Sequence, residues 1–418
     1  MTAKKTGTAK PTGMLDRRRA LKGAVATTAA GSIGFPAALA AQGAALKVGV
    51  ILPLSGVLSF PGIATRRGTE LAAKMFADDG VKLEVTFVDT ESKPENGRIA
   101  AERLIRDGAT ILVGAWDSGA TISAAQAAEA AKVPLVVNVG SAPQITEQGF
   151  TQVFRNFPPS TEIVSKGVAL FKDLPRGGGF DPKTAVVMHV NDTFGQATGG
   201  AVKGVWEKLG VDIKILDTIS YDLRARDLSV EVAKAKATGA DLLCPITRVN
   251  DAILIVREMV KQEWNPMAIY GPSSPGPYEK AFTDALGRYA DDYMTSVPWY
   301  NPGLDITKRV LARWDKEFSG QRFELNSGFG WESLQVVVDA FKRAGSSKPG
   351  DLHAALQKAN IADHPMYGGP ITFDAKGQNV NIGVPLLQNQ GGEPKVIAPA
   401  AVAQAKPKLP MTTWAARG

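Results

Sequence analysis

Lys47-Val48-Gly49-Val50-Ile51-Leu52-Pro53 is a short apolar run, rich in branched side chains and closed by a residue without an N–H. It is too short for a buried helix and has the composition of a strand buried on both faces. An amphipathic stretch at residues 64–78 follows, with apolar positions three to four apart, and then a second apolar run at residues 83–89. A strand, a helix and a strand in that order make a parallel unit, because the helix carries the chain back across the sheet. The pattern continues with strands predicted at 111–114 and 135–138 and helices at 95–106 and 121–131. After Phe157-Pro158-Pro159 it starts again, with strands predicted at 185–190, 212–219, 242–246 and 267–270 and helices at 195–209 and 251–262. Four strands in each half predict an α/β fold of two doubly wound parallel-sheet lobes. An extended crossing at 293–300, helices at 305–318 and 328–344, and a last short β segment at 369–374 complete the reading. Ligands of open α/β sheets bind outside the carboxyl ends of the strands, so the residues just after each strand are where function is sought.

Of the 418 residues, 44% are hydrophobic and 21% charged, an ordinary globular composition with length enough for two cores. The net charge of +7 invites a nucleic-acid partner, but seven of the 48 basic residues and one of the 41 acidic residues lie in residues 1–40. The remainder carries 41 basic against 40 acidic residues, without the basic excess that phosphate binding needs. Those first forty residues read as an export leader. Asp16-Arg17-Arg18-Arg19-Ala20-Leu21-Lys22 is a twin-arginine start, a mild Ala- and Gly-rich run follows, and Ala38-Leu39-Ala40 is a small-x-small cleavage site. The run is interrupted by Gly34 and Pro36 and falls short of the ~20 strongly apolar residues that span a bilayer. The expected location is the periplasm. Cys244 is the one cysteine, so neither an intramolecular disulfide nor a thiolate cluster is expected, and its setting in Leu242-Leu243-Cys244-Pro245 is that of a small buried hydrophobe.

The run Val48 to Gly56, then Val88-Asp89-Thr90, Ile111-Leu112-Val113-Gly114 with Ser118, and Val133-Pro134-Leu135 closing on Ser141-Ala142-Pro143 resembles the leucine/isoleucine/valine-binding protein family. This is the branched-chain amino-acid type of type I periplasmic binding protein. The likeness continues through Asn191-Asp192-Thr193-Phe194-Gly195 and Tyr270-Gly271-Pro272 to Gly368-Gly369-Pro370-Ile371-Thr372-Phe373-Asp374. It implies two lobes joined by three hinge crossings that close on a small-molecule ligand, with lobe one at 41–157 and 298–375 and lobe two at 158–297 and 376–418. It implies as partners the transmembrane permease subunits of an ABC importer; a monomer is expected, with no cofactor and no metal.

The resemblance implies that a hydroxyl after the third strand and another after the fourth hold a ligand carboxylate. Ser118 and Ser141 stand there, with Val139 and Gly140 supplying backbone. Hydroxyls and free N–H groups at a helix start donate to an anion, although Ser118 as a helix cap and Ser141 as a turn residue are the alternatives. Phe60, Trp116 and Phe194 are candidates for apolar contact, with Trp299 and Tyr300 behind them. Two departures bear on the ligand. Where amino-acid binders of the family place an acid for the ammonium, this chain has Ser273, and where an aromatic is expected after the seventh strand it has Arg248. Losing an ammonium partner and gaining a cation points to an organic acid that a guanidinium grips, an aromatic carboxylate among them. Arg248 paired with Asp251 at a helix start is the alternative, and Asp117 turned inward is a second acceptor for an ammonium. The competing functions are an amino-acid binder of the same class, an amide or urea sensor, and a periplasmic enzyme. The last lacks a constellation, because His189, His353 and His364 stand beside no nucleophile and no Gly-rich phosphate loop follows the first strand.

Overall fold

The computed structural model describes residues 45–417, so the leader and its cleavage site lie outside the described residues. Five strands, β1 (Leu46–Leu52), β2 (Leu83–Asp89), β3 (Ile111–Gly114), β4 (Leu135–Val137) and β5 (Val153–Arg155), pair in parallel in the order β2-β1-β3-β4-β5. Between them run α1 (Ser59–Asp78), α2 (Asn96–Arg106), α3 (Ser118–Ala131) and the short α4 (Gln144–Glu147). A second sheet of seven strands has the order β12-β11-β10-β9-β8-β6-β7. Its strands are β6 (Thr184–Val190), β7 (Lys214–Tyr221), β8 (Leu242–Ile246), β9 (Ala268–Pro272), β10 (Met294–Ser296), β11 (Leu386–Gln390) and β12 (Glu393–Ala398). β7 to β10 are parallel, and β11 and β12 close the edge antiparallel. Its helices are α5 (Ser160–Lys172), α6 (Thr193–Lys208), α7 (Ser229–Ala237), α8 (Val249–Lys261) and α9 (Lys280–Leu286). Three later helices, α10 (Asp305–Glu317), α11 (Leu325–Ala344) and α12 (Pro349–Leu356), return to the first sheet, where α11 packs along α1. The architecture is α/β with two mostly parallel sheets.

In each sheet the strand order reverses once, between β1 and β3 in the first and between β6 and β8 in the second. At such a point neighbouring connections leave in opposite directions and open a crevice at the carboxyl ends. The chain passes between the sheets three times: after β5, after β10 and before β11. One close contact decides how α11 reaches the crevice. A Cβ on Gly68 of α1 would stand 2.0 Å from the Ser327 carbonyl oxygen, and one on Gly330 of α11 would stand 2.2 Å from that of Thr65. The reciprocal glycines let the two backbones touch and bring Leu325 and Asn326 to the end of β3 and β4.

Several expected elements shift. The segment at 369–374 is not a strand; Ile371 and Phe373 make only isolated bridges to Ile361 and Asn379. The closing strands are instead β11 and β12, a hairpin turned by Gly391 and Gly392 at φ of 64° and 76°. The strand predicted at 212–219 runs two residues later, and β5 was not predicted. Among the described residues no helix is long and apolar enough to cross a membrane.

Candidate ligand-binding cleft

Three helices begin where the two crevices face one another: α3 just after β3, α6 just after β6 and α8 just after β8. Asp117 caps α3, its Oδ1 accepting the Ala120 N–H at 3.0 Å, and Asp192 caps α6, its Oδ1 accepting the Gly195 N–H at 2.8 Å. At the start of α8 the Arg248 N–H donates to Asp251 Oδ1 at 3.0 Å. Each helix start presents unpaired N–H groups and a partial positive charge. Between them lies a small cavity walled by Trp116, Val139, Phe157, Ile163, Phe194, Pro275, Val297 and Leu325. Ser118, Ser141, Arg248 and Ser273 are its polar lining. A mostly apolar wall with a few converging polar groups is the usual make-up of a small-molecule site. Trp116 and Ser273, one from each side, hold φ of 68° and 62°. Side chains other than glycine take this left-handed conformation at a cost that surrounding structure must offset. For Trp116 that structure is visible: its N–H donates to Asn138 Oδ1 at 3.1 Å and its indole N–H to Asn326 Oδ1 at 2.8 Å.

On the first-sheet wall, the Ser118 Oγ accepts the Ala142 N–H at 3.2 Å and keeps its own proton to donate. The Ser141 hydroxyl makes no hydrogen bond within the described chain, and its carbonyl accepts the Ser160 N–H at 2.7 Å. Nor do the N–H groups of Gly140 and Ser141 meet a protein acceptor among the described residues. Behind this loop lies Arg155, 1% exposed, which donates to Ala142 O and Thr146 Oγ1, both at 2.7 Å, and to Gln378 Oε1 at 2.5 Å. Burial draws its pKa down to about 9, still charged at neutral pH, so a fixed cation stands behind the serines.

Arg248 is the charged side chain of the wall. It is 4% exposed, its Nη1 is paired with Asp192 Oδ2 and its Nη2 with Asp117 Oδ2 at 3.3 Å. Its guanidinium carbon lies 4.9 Å from the Phe194 ring centroid and 5.7 Å from that of Trp116. Burial pulls its pKa down, but the carboxylates of Asp192, Asp117 and Asp251 outweigh that and hold it above the ordinary value. Asp117 moves the other way relative to an ordinary acid: burial raises it, and Arg248 only partly offsets this against the like charge of Asp192. Asp117 belongs to the first-sheet side and Arg248 to the second, so the ion pair spans the cleft.

The periplasmic binding protein family matches residues 45–393. The chain belongs to the periplasmic binding protein family. This binding protein is 25% identical over 403 residues to the Leu/Ile/Val-binding protein homolog 8 of Brucella suis biovar 1, covering 93% of its own length and 98% of that relative. Its fold is similar to that of the leucine-binding protein LivK from Thermotoga maritima, at 19% identity and a TM-score of 0.74, over 84% of this chain and 98% of that one. A solute-binding protein of an ABC transporter from R. palustris, solved in complex with benzoate, superposes with the same TM-score at 21% identity, over 87% and 98%.

Within the binding protein, the structure brings Trp116, Ser118, Val139, Ser141, Phe194, Arg248 and Ser273 to one cavity wall. Gly140 stands behind it, packed so closely on Thr121 and Ile145 that a Cβ would come within 2.9 Å of both. Phe60 is not in the cavity: it lies in the first turn of α1 and is 52% exposed, because the loop after β1 carries it to the outer lip. Trp299 and Tyr300 stack on each other 5.1 Å apart, outside the wall. Asp117, not Ser118, is the side chain that caps α3, and Asp251 takes the backbone rather than the side chain of Arg248. Phe157, Ile163, Pro275, Val297 and Leu325 were missed: Phe157 lies on a crossing, Ile163 and Leu325 at helix starts, Pro275 three residues past β9, and Val297 just after β10, which the sequence reads only as part of an extended crossing. Arg155 was missed because nothing in its neighbourhood in the sequence announces burial. Cys244 is fully buried in β8, and burial pushes its thiol up to about 12, which keeps it inert.

Proposed function

We propose that the protein is the periplasmic solute-binding component of an ABC importer and that it captures a small organic acid with an apolar, aromatic body. The observation that carries the reading is the polar lining of the cleft. Ser118 and Ser141 line one side, on a loop whose Gly140 and Ser141 N–H groups are unpaired among the described residues, and Arg248 uses two of its five N–H donors within the chain. No carboxylate is among the lining residues described, so the wall offers donors to an anion and no acceptor of negative charge to an ammonium. The helix starts of α3, α6 and α8 add to the same field. Trp116, Phe157 and Phe194 supply faces for a ring, and the solved R. palustris protein with benzoate supports an aromatic acid on this fold. Capture is closure: ligand bound to the serine loop draws the second lobe onto it and shifts the open–closed equilibrium by its differential affinity for the two states. The closed form then docks on the permease.

A thermal-shift and calorimetric panel of benzoate and hydroxybenzoates, aliphatic acids, branched-chain amino acids, amides and urea tests this. An aromatic acid at a hundredfold excess over its Kd adds about 2.7 kcal/mol of stability. Stabilisation by leucine, isoleucine or valine with none by the acids would overturn the organic-acid reading and favour the amino-acid binder of the same class.

A further inference from the structure

Arg248 occupies a constellation that recognises organic cations elsewhere in protein chemistry. Its guanidinium lies against two aromatic faces, Phe194 at 4.9 Å and Trp116 at 5.7 Å, within the about 6 Å over which a ring's quadrupole holds a cation. Two carboxylates complete the enclosure, Asp192 and Asp117, the latter at 3.3 Å. Neither acid is there by accident of flexibility: each gives one oxygen to a helix cap and has only the other left for a cation. The four groups also come from both sides of the cleft, Trp116 and Asp117 from the first sheet and Asp192 and Phe194 from the second.

We propose that Trp116, Phe194, Asp117 and Asp192 form an organic-cation box that the chain fills with its own Arg248, a tethered stand-in for a ligand ammonium. The inference rests on this cleft being the ligand site, as proposed above, but not on the identity of the native ligand. Two consequences follow. The resident guanidinium repels a ligand ammonium and occupies its acceptors, so the protein rejects amino acids and amines whatever their side chain. Removing the Arg248 side chain vacates the box while leaving the acids and rings in place, so the same cleft then takes an aryl- or alkylammonium ligand, its apolar body in the cavity and its charge between the acids.

The test compares benzylammonium with the neutral benzyl alcohol on the wild type, Arg248→Ala and Arg248→Met by calorimetry and melting. The expected result is no saturable benzylammonium binding by the wild type and a gain of roughly tenfold or more in Arg248→Ala. Benzyl alcohol gains less, and Arg248→Met, which refills the box with an apolar side chain, gains nothing. Benzylammonium binding falls again in Arg248→Ala combined with Asp117→Asn. Truncation leaves two carboxylates facing each other, so Arg248→Ala combined with Asp192→Asn serves if the single variant does not fold; it has one acid and keeps the preference for cation over alcohol. The proposal is overturned if the folded truncation variants bind alcohol as well as ammonium, if they bind neither, or if Arg248→Met gains cation affinity equally. Binding of benzoate by the wild type is a separate readout: its absence counts against the organic-acid reading and leaves the box as it stands.

Discussion

Ser118 and Ser141 line the same wall but hold different places in the hydrogen-bond network, and that difference predicts a split between affinity and stability. The Ser118 Oγ accepts the Ala142 N–H at 3.2 Å, whereas the Ser141 Oγ has no partner within the described chain. Both keep a hydroxyl proton for a ligand carboxylate. A hydrogen bond to a charged group contributes about 1.5–3 kcal/mol, so Ser141→Ala is expected to weaken aromatic-acid binding about ten- to a hundredfold. The unliganded protein's melting point should hardly move. Ser118→Ala loses the same donor and in addition strands the buried Ala142 N–H, a penalty of about 1–3 kcal/mol carried by the unliganded protein. It should therefore lose both affinity and stability. Calorimetric Kd and denaturant midpoints without ligand separate the two quantities. If Ser118→Ala loses stability while both variants keep their affinity within about twofold, the serines are structural and the carboxylate does not sit where the loop places it.

Four other substitutions test the frame around the site. Arg155→Met strands Ala142 O, Thr146 Oγ1 and Gln378 Oε1 behind the serine loop, and is expected to lower unfolding free energy by about 3 kcal/mol or more, read from the denaturant midpoint. Gly68→Ala drives a Cβ to 2.0 Å from the Ser327 carbonyl oxygen; a loss of about 1–3 kcal/mol in stability is expected, with weaker ligand binding as α11 moves Leu325 out of the wall. Phe60→Ser should leave ligand affinity unchanged, since Phe60 stands on the outer lip, and a tenfold loss would return it to the site. His364 predicts a pH dependence. Burial draws its imidazolium pKa down, but Glu332 at 2.7 Å and the Gly369 carbonyl at 2.9 Å engage both ring nitrogens as donors, Asp363 adds its charge, and the net value is raised. A raised folded-state pKa means the stability is complete below the unfolded value of about 6.5 and is lost as pH rises through the folded one. The difference in unfolding free energy between wild type and His364→Gln should shrink between pH 6 and 9, and a constant difference would refute a charged His364.

What could be read in the sequence followed from burial. β1, β3 and β8 stand out as apolar runs because both faces of a parallel sheet are covered, whereas β2 lies at the sheet edge and shows only alternation, and the residues after these strands could be placed at the cleft on topology. β5 is three residues long and ends in Arg155, whose complete burial depends on acceptors from residues 142, 146 and 378. β11 and β12 contain Gln388, Asn389, Gln390, Glu393 and Lys395, so an edge hairpin looks like a polar tail. At the cleft, Ser118, Ser141 and Arg248 could be found by position, but the partners of Arg248 could not. Asp117 lies 131 residues away and Asp192 56, and each turns out to cap the helix that follows it. Capping does not exhaust them, because a carboxylate has two oxygens and capping uses one.

The second oxygens connect a local device to a global one. Capping fixes the Asp117 and Asp192 carboxylates relative to their helices; Asp192 stands on the same side as Arg248, so it is the free oxygen of Asp117 that meets the guanidinium only when the two sheets approach. The ion pair by itself is a poor source of closure energy. In an open cleft Asp117 and the guanidinium regain water, and the desolvation penalty of a buried pair is comparable to its attraction. The apolar wall is different, since Trp116 and Phe194 lose water on closure without a matching penalty, and closure brings Trp116 onto the guanidinium that Phe194 already faces. Moving a two-state equilibrium from 1:99 to 99:1 takes about 5.5 kcal/mol of differential affinity. A charge network near balance leaves that difference to be supplied by what enters the cavity, and it sets the register in which the lobes meet: Arg248 between the two capping acids.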